Sequence, residues 1–274
     1  MGIYAFSFSP TGTSAKILRA VSSGVAEGLN TDVTSVDLTF NPADDIELTE
    51  RDIVIAGAPV YGGKIAPLAK LRLNALRGNG AKCIVVAIYG NRAFENAASD
   101  LAGFMAEGGC LICGAAAFVG EHSYSTSATP IAAGRPDGQD LSDAHKFGME
   151  IASLILQDKL REVNPTELSD VPSPAESIAN FRKFVVAYQQ QQSTNPVTYL
   201  PTVDQSLCDG CGACYAACPT GAINPECEEV DPAKCIKCCA CVKVCPQEAR
   251  HLATPFAGIL SENFNLRKSP RWIL

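Results

Sequence analysis

The chain has 274 residues, of which 47% are hydrophobic and 19% charged, so it can build one full domain and a smaller second one around proper cores. Its formal net charge of −7 argues against a nucleic-acid partner, because phosphate neutralisation needs a basic surface. The opening residues lack the basic start and apolar run of a secretory leader, Phe6 stands where a myristoylation signal needs Ser or Thr, and no window approaches eighteen apolar residues; the expectation is a cytoplasmic protein without a membrane span.

Residues 3–8 are a short run of strand formers, followed at once by Ser9-Pro10-Thr11-Gly12-Thr13-Ser14 and a helical pattern from Ala15 to about Gly28. Such a loop offers backbone N–H groups, hydroxyls and the positive end of a helix dipole, which together hold a phosphate without any arginine. Hydroxyls at helix starts are also ordinary N-caps, and the G-x4-G-K spacing of a Walker loop is absent. Residues 31–38 read as a second strand and 52–58 as a third, where Ile53, Val54 and Ile55 make the continuous apolar run of a buried parallel strand. Ala58-Pro59-Val60-Tyr61-Gly62-Gly63 follows, then a helix over about 67–77 closed by Gly78.

A strand at 82–89 leads into Tyr89-Gly90-Asn91-Arg92 and a helix over about 94–107; a fifth strand spans 115–119. A helix over about 142–160 places Phe147, Ile151, Leu154 and Ile155 on one face. Alternating strands and helices predict an α/β domain with an open, doubly wound parallel sheet covered on both sides, its ligand at the carboxyl ends of the strands.

Between the fifth strand and that helix, residues 120–140 form a long connection without periodicity, a length that usually signals function or disorder. Within it His122 reads as a loop histidine before it reads as a proton donor, and Arg135 as a loop-pinning residue. Cys110 and Cys113 form a C-x2-C pair that reads as core filling before it reads as a redox dithiol. Residues 163–199 form a proline-containing linker with one amphipathic helix, started by the capping box Ser173-Pro174-Ala175-Glu176 and carrying Ile178, Phe181, Val185 and Tyr188 on one face.

Ten of the thirteen cysteines then fall between Cys208 and Pro246. Cys208, Cys211, Cys214, Cys218, Pro219 and Cys235, Cys238, Cys241, Cys245, Pro246 both spell C-x2-C-x2-C-x3-C-P. That is the bacterial ferredoxin run, in which three closely spaced thiolates serve one 4Fe-4S cluster and the fourth, before proline, reaches the other. Cys208, Cys211, Cys214 and Cys245 are therefore assigned to cluster one, and Cys235, Cys238, Cys241 and Cys218 to cluster two. Structural zinc also uses C-x2-C pairs, but each run here offers three ligands and a distant fourth. Cys227 and Cys239 are left over and read as small apolar fillers. The last residues, 254–274, carry Arg267, Lys268, Arg271 and a terminal Trp272-Ile273-Leu274, and read as a tail packing back on the protein.

The loops Ser9–Ser14, Ala58–Gly63 and Tyr89–Arg92 resemble, in order and placement, the FMN phosphate loop and the two isoalloxazine loops of the flavodoxin family. Followed by the double cysteine run, the whole chain resembles the bacterial flavodoxin–ferredoxin fusion proteins. The resemblance implies a flavodoxin-like five-stranded parallel sheet over residues 1–162 and a small α+β two-cluster ferredoxin-like domain over 200–253. It also implies that Ser9, Thr11, Gly12, Thr13 and Ser14 hold the FMN phosphate. Pro59, Val60, Tyr61, Gly62 and Gly63 would line the ring on one side, and Tyr89, Gly90, Asn91 and Arg92 would approach its pyrimidine edge.

Two 4Fe-4S clusters exchange single electrons and a flavin one or two, so a chain carrying both makes transfer between them intramolecular. The leading expectation is an electron carrier between a redox partner protein, met at the cluster domain, and FMN. The alternative is an FMN-dependent reductase of a small acceptor such as a quinone, nitro compound or disulfide; a redox sensor ranks third. No acid–base pair and no Gly-rich dinucleotide fingerprint favours the reductase.

Overall fold

The computed structural model describes residues 1–43 and 46–274. In chain order the first elements are β1 (Ile3–Ser7), α1 (Thr13–Leu29), β2 (Thr34–Asp37), β3 (Ile53–Tyr61), β4 (Lys64–Ile65), α2 (Pro67–Leu73), β5 (Lys82–Tyr89), α3 (Ala97–Glu107), β6 (Leu111–Val119) and α4 (Gly138–Leu156). A 3-10 turn at Pro165–Glu167 precedes α5 (Ala175–Thr194), β7 (Thr202–Val203), α6 (Ala213–Ala216), α7 (Ala240–Val244), β8 (Arg250–His251), α8 (Phe256–Asn263) and β9 (Arg271–Ile273).

These elements form two compact units: residues 1–121, 134–171 and 267–274 make the first, and 122–133 and 172–266 the second. The first is a sheet in the order β2-β1-β3-β5-β6-β9, with β4 hairpinned onto β3. Strands β2, β1, β3, β5 and β6 run parallel, in the doubly wound order of flavodoxin-type sheets. β9 adds an antiparallel edge strand that pairs Ala115 with Ile273 and Ala117 with Arg271.

One face of the sheet packs on α1 and α4 through Ile3, Ile55, Val86, Ile88 and Phe118 against Ile17, Leu18, Val21, Phe147 and Ile151. The two helices touch backbone to backbone. A Cβ on Gly24 would strike the carbonyl of His145, and one on Gly148 the carbonyl of Val21. Trp272 closes this face at the edge: its ring stacks on Phe118 at 6.2 Å between centroids, tilts 40° to Phe147, and its Nε1 donates to Glu150 Oε2 at 2.9 Å.

Several boundaries differ from the sequence reading, each for a local reason. β3 continues to Tyr61 and turns back, because Gly62 (φ +60) and Gly63 (φ +82) form a two-residue hairpin turn with both residues left-handed. α3 starts at Ala97 rather than 94, since Glu95 is left-handed and the N–H groups of Phe94 and Glu95 are taken by the Asp170 carboxylate at 2.8 and 3.0 Å. α2 stops at Leu73, and Arg77 instead bridges to Glu47 in the parallel sense. α4 starts at Gly138, four residues before the expected point, because Asp137 and Asp140 form a reciprocal capping box. The box read at Ser173 does not form: α5 begins behind Pro174 with no side-chain cap.

The second unit has a satellite core and a cysteine core. α5 has no fully buried residue, and its Phe181, Phe184 and Tyr188 meet Phe256 of α8 and Phe264 in edge-on ring contacts. Ile131, Leu260 and Phe264 are buried beneath them. The other core is built from Cys214, Ile223, Cys227 and Cys241, with Cys218, Val230 and Val242 against it.

Candidate functional site

The two cysteine runs fold as copies 27 positions apart, as between Cys211 and Cys238. Left-handed backbone recurs in register: Gly210 (φ +71) matches Lys237 (φ +57), Gly212 (φ +76) matches Cys239 (φ +61), and Gly221 (φ +59) matches Glu248 (φ +49). Each middle position heads a short helix, α6 after Gly212 and α7 after Cys239. Cys239 is thus the counterpart of a glycine, and its buried thiol turns to the Lys237 carbonyl at 3.8 Å. Pairing repeats as well, since Val230 bridges Ile223 and Val203 pairs with Arg250.

Within this repeat Cys218, Cys235, Cys238 and Cys241 line one cavity, together with Thr220, Ile223 and Val230. Among the described residues no group of three or more His, Cys, Asp or Glu converges to hold a single ion. Burial pushes the Cys238 thiol up to about 11 and Cys241 up to about 12, the latter opposed by the Arg250 charge. Burial also raises Cys235. At Cys218 burial pulls upward too, but the Thr220 hydroxyl and the N–H groups of Thr220, Ala222 and Ile223 outweigh it and hold this thiol low. Cys218 Sγ accepts from the Ala222 N–H at 3.2 Å, and its repeat mate Cys245 accepts from Ala249 at 3.3 Å. Such N–H donors favour the thiolate that a soft metal centre needs.

The other four cysteines are graded in exposure: Cys211 is exposed, Cys208 and Cys245 intermediate, and Cys214 buried. Asp209 accepts from the Cys211 N–H at 3.1 Å and from Gln247 Nε2 at 3.0 Å, which ties the first run to the segment after Cys245. Cys227, read as filler, is buried in one cluster with Cys214, and its thiol donates to the Pro225 carbonyl at 3.6 Å.

At the carboxyl end of the first unit's sheet, α1 begins behind Gly12, whose φ of +79 suits glycine and whose side-chain direction meets no protein atom within 4 Å. Ser9 Oγ accepts from the Ala15 N–H at 2.9 Å, Thr11 and Thr13 hydroxyls lie 3.5 Å apart, and Ser14 is buried. Gly62 likewise faces open space, whereas a Cβ on Gly63 would strike the Glu95 carboxylate. Pro59, Val60 and Tyr61 are half-buried at the end of β3. Gly90 follows β5, Asn91 is left-handed and buried, and the Arg92 guanidinium pairs with Glu95 at 2.5 Å. Lys268 Nζ donates to the Arg92 carbonyl at 2.5 Å, and with Asp170 it pins this loop. Tyr89 is 2% exposed, edge-on to Phe94, and its buried hydroxyl has no hydrogen-bond partner among the described residues. An N-terminal turn facing open space beside hydroxyls, and a buried phenol without an acceptor, fit a polar ligand at this edge.

The residues singled out in the 120–140 connection are tied locally. His122 Nδ1 accepts from the Tyr124 N–H at 3.0 Å, and Arg135 forks onto Asp140 while also donating to the Lys268 carbonyl at 3.0 Å. Cys110 and Cys113 are both buried, and Cys113 sits in the bulge where the β5–β6 register slips between Cys83 and Ile84. The thiol that Cys110 meets is that of Cys83, a contact that spacing does not announce.

Residues 201–224 and 228–251 match the family described as "4Fe-4S binding domain". Among solved structures the chain is similar to a flavodoxin from the domain Archaea, at 16% identity and a TM-score of 0.39 over 57% of this chain and 99% of that one. It is similar to flavodoxin 1 of Bacillus cereus at 14% identity and 0.40, over 56% and 98%. It is also similar to the flavodiiron core of Synechocystis at 16% and 0.44, over 58% of this chain and 36% of that one. No curated protein matches. No helix among the described residues is long and apolar enough to cross a membrane. By its strand order in one unit and its matched cysteine repeat in the other, the chain joins a flavodoxin-like α/β unit to a ferredoxin-type 4Fe-4S binding domain.

Proposed function

We propose that this protein is a cytoplasmic electron-transfer iron–sulfur flavoprotein, relaying low-potential electrons between two 4Fe-4S clusters and FMN. The observation that carries the reading is the common cavity lined by Cys218, Cys235, Cys238 and Cys241, three thiols from one run and the fourth from the other. A crossed quartet is what a two-cluster ferredoxin requires. The repeat relation extends it to Cys208, Cys211, Cys214 and Cys245, where the tie between Asp209 and Gln247 supports the same crossing.

FMN is assigned to the first unit on its strand-end loops: Ser9, Thr11, Gly12, Thr13 and Ser14 hold the phosphate, while Pro59–Gly63 and Tyr89–Arg92 flank the ring. When bound, the clusters supply one-electron steps and the flavin a centre that takes one or two electrons. The chain's own contribution is to donate N–H groups to Cys218 and Cys245, to bury Cys214, Cys238 and Cys241 away from water, and to pin the 89–95 loop through Asp170 and Lys268. A redox partner protein meets the cluster domain, and the flavin stores electrons or passes them on.

The test is anaerobic purification with iron, sulfide and flavin counted per chain, then a reductive titration followed by flavin absorbance and EPR. About eight irons and one FMN, with a persistent flavin semiquinone, is the expected result. Four irons or fewer would end the two-cluster reading. Passage of the flavin straight to hydroquinone, with reoxidation by quinones or nitro compounds, would move the assignment to a reductase.

A further inference from the structure

Among the positions where the two copies of the cysteine repeat differ, Arg250 is a charged residue that is also buried. Its mate 27 positions earlier is Ile223, and both occupy the same place in the fold: Ile223 bridges Val230 as Arg250 pairs with Val203. Ile223 lines the cavity of Cys218, Cys235, Cys238 and Cys241. By the repeat relation Arg250 holds toward the quartet Cys208, Cys211, Cys214 and Cys245 the place that Ile223 holds toward the other, with a guanidinium in place of a butyl group.

That guanidinium is 2% exposed. Its Nη2 donates to the carbonyl of Cys227, which is buried in one cluster with Cys214, and its charge reaches Cys227 and also Cys241, a thiol of the other quartet. Nε and Nη1 are buried and have no hydrogen-bond partner among the described residues. A buried cation with two idle donors is costly unless an anion lies against it, and the partner recorded for Arg250 among the described residues is a carbonyl, not a carboxylate. A role confined to holding the Cys227 carbonyl would use one nitrogen and leave the other two unexplained. Thiolate-ligated clusters are anionic and become more so on reduction, so a fixed positive charge and N–H donors beside one of them favour its reduced state.

We infer that Arg250 is a tuning residue, donating through Nε and Nη1 to sulfur of the cluster held by Cys208, Cys211, Cys214 and Cys245 and raising that cluster's reduction potential above its neighbour's. The inference rests on the two-cluster reading. It makes the two centres of a near-symmetric repeat unequal, so that an electron entering the domain settles preferentially on one of them.

The experiment is a potentiometric titration of the full-length protein and of Arg250→Ile, Arg250→Gln and Arg250→Lys, with iron and sulfide counted in each. Arg250→Ile installs the residue already used by the first copy. The expected result is an unchanged iron content with one reductive step harder by at least tenfold in equilibrium constant, about 59 mV for a one-electron couple, and the other step moved less. Arg250→Lys, keeping the charge, should recover most of the shift, and Arg250→Gln should resemble the isoleucine variant. Should Arg250→Ile fail to assemble clusters, the lysine and glutamine variants decide by the same ordering. Potentials equal to native in the charge-free variants with full iron overturn the inference. A native protein holding only four irons overturns the two-cluster reading and the inference with it, and the iron count separates that case from the first.

Discussion

Cys211 and Gly12 carry the sharpest consequences of the two proposed sites. Cys211 is the exposed member of its quartet, so Cys211→Ala removes a ligand without opening a core cavity. The expected outcome is loss of about half the iron with flavin retained, read by iron assay and visible absorbance. Gly12→Leu places a side chain on a left-handed residue, costing about 1–2 kcal/mol, and projects it into the space next to the α1 N-terminus. Flavin affinity should fall by at least about tenfold in a fluorescence titration while cluster absorbance stays. Asp52 adds a pH dependence. Burial pulls its pKa up, but the N–H groups of Gly2 and Thr49 and the Thr49 hydroxyl outweigh this and hold it below the usual range. A depressed folded pKa contributes stability above the unfolded value of about 3.9, lost as pH falls through the folded one. Asp52→Asn should therefore flatten the acid limb of the urea stability curve below about pH 4 and lower the plateau above it.

Among the elements, β9 and the turn at 62–63 show how far local pattern reaches. Trp272 is half-buried between Phe118 and Phe147, and Trp272→Ala should cost about 2 kcal/mol in urea unfolding followed by the sheet's far-UV signal. β5 spans the expected residues because its apolar run is continuous and bounded by turn residues. α3 and α4 were legible in type but not at their starts. Asp170 captures the N–H groups of Phe94 and Glu95 from 75 residues away or more, and Asp137 caps α4 with an aspartate at the reciprocal position where Glu or Gln is the familiar signal. β9 lies beyond any short-range signal: three residues near the C-terminus become a strand because β6 offers an unpaired edge.

For the molecule as a whole, the two units should differ in their dependence on cofactor. The first has a continuous core of sheet and two helices. Around the cysteines of the second, the hydrophobic core cluster is Cys214, Ile223, Cys227 and Cys241, three of them thiols. A core this small is held by its metal when metal is bound. Anaerobic chelation of iron should therefore collapse amide-exchange protection over residues 201–251 and leave β1, β3, β5 and β6 protected; equal loss in both would contradict it.

The cysteine spacing, the alternation of strands with helices and the glycine-flanked loops are all legible in the sequence, because ligand runs, amphipathic periods and left-handed turns are properties of neighbours in the chain. The repeat offset of 27 was there too, and with it the exchange of Ile223 for Arg250. Only the tertiary structure decided that Arg250 is buried with two donors idle, that Cys110 meets Cys83 rather than Cys113, that Cys227 lies on Cys214, and that the C-terminal residues complete the first unit's sheet. Each of these joins residues whose separation along the chain carries no period. Their meeting depends on where the chain returns after long excursions, which is set by the burial of whole faces rather than by any local preference.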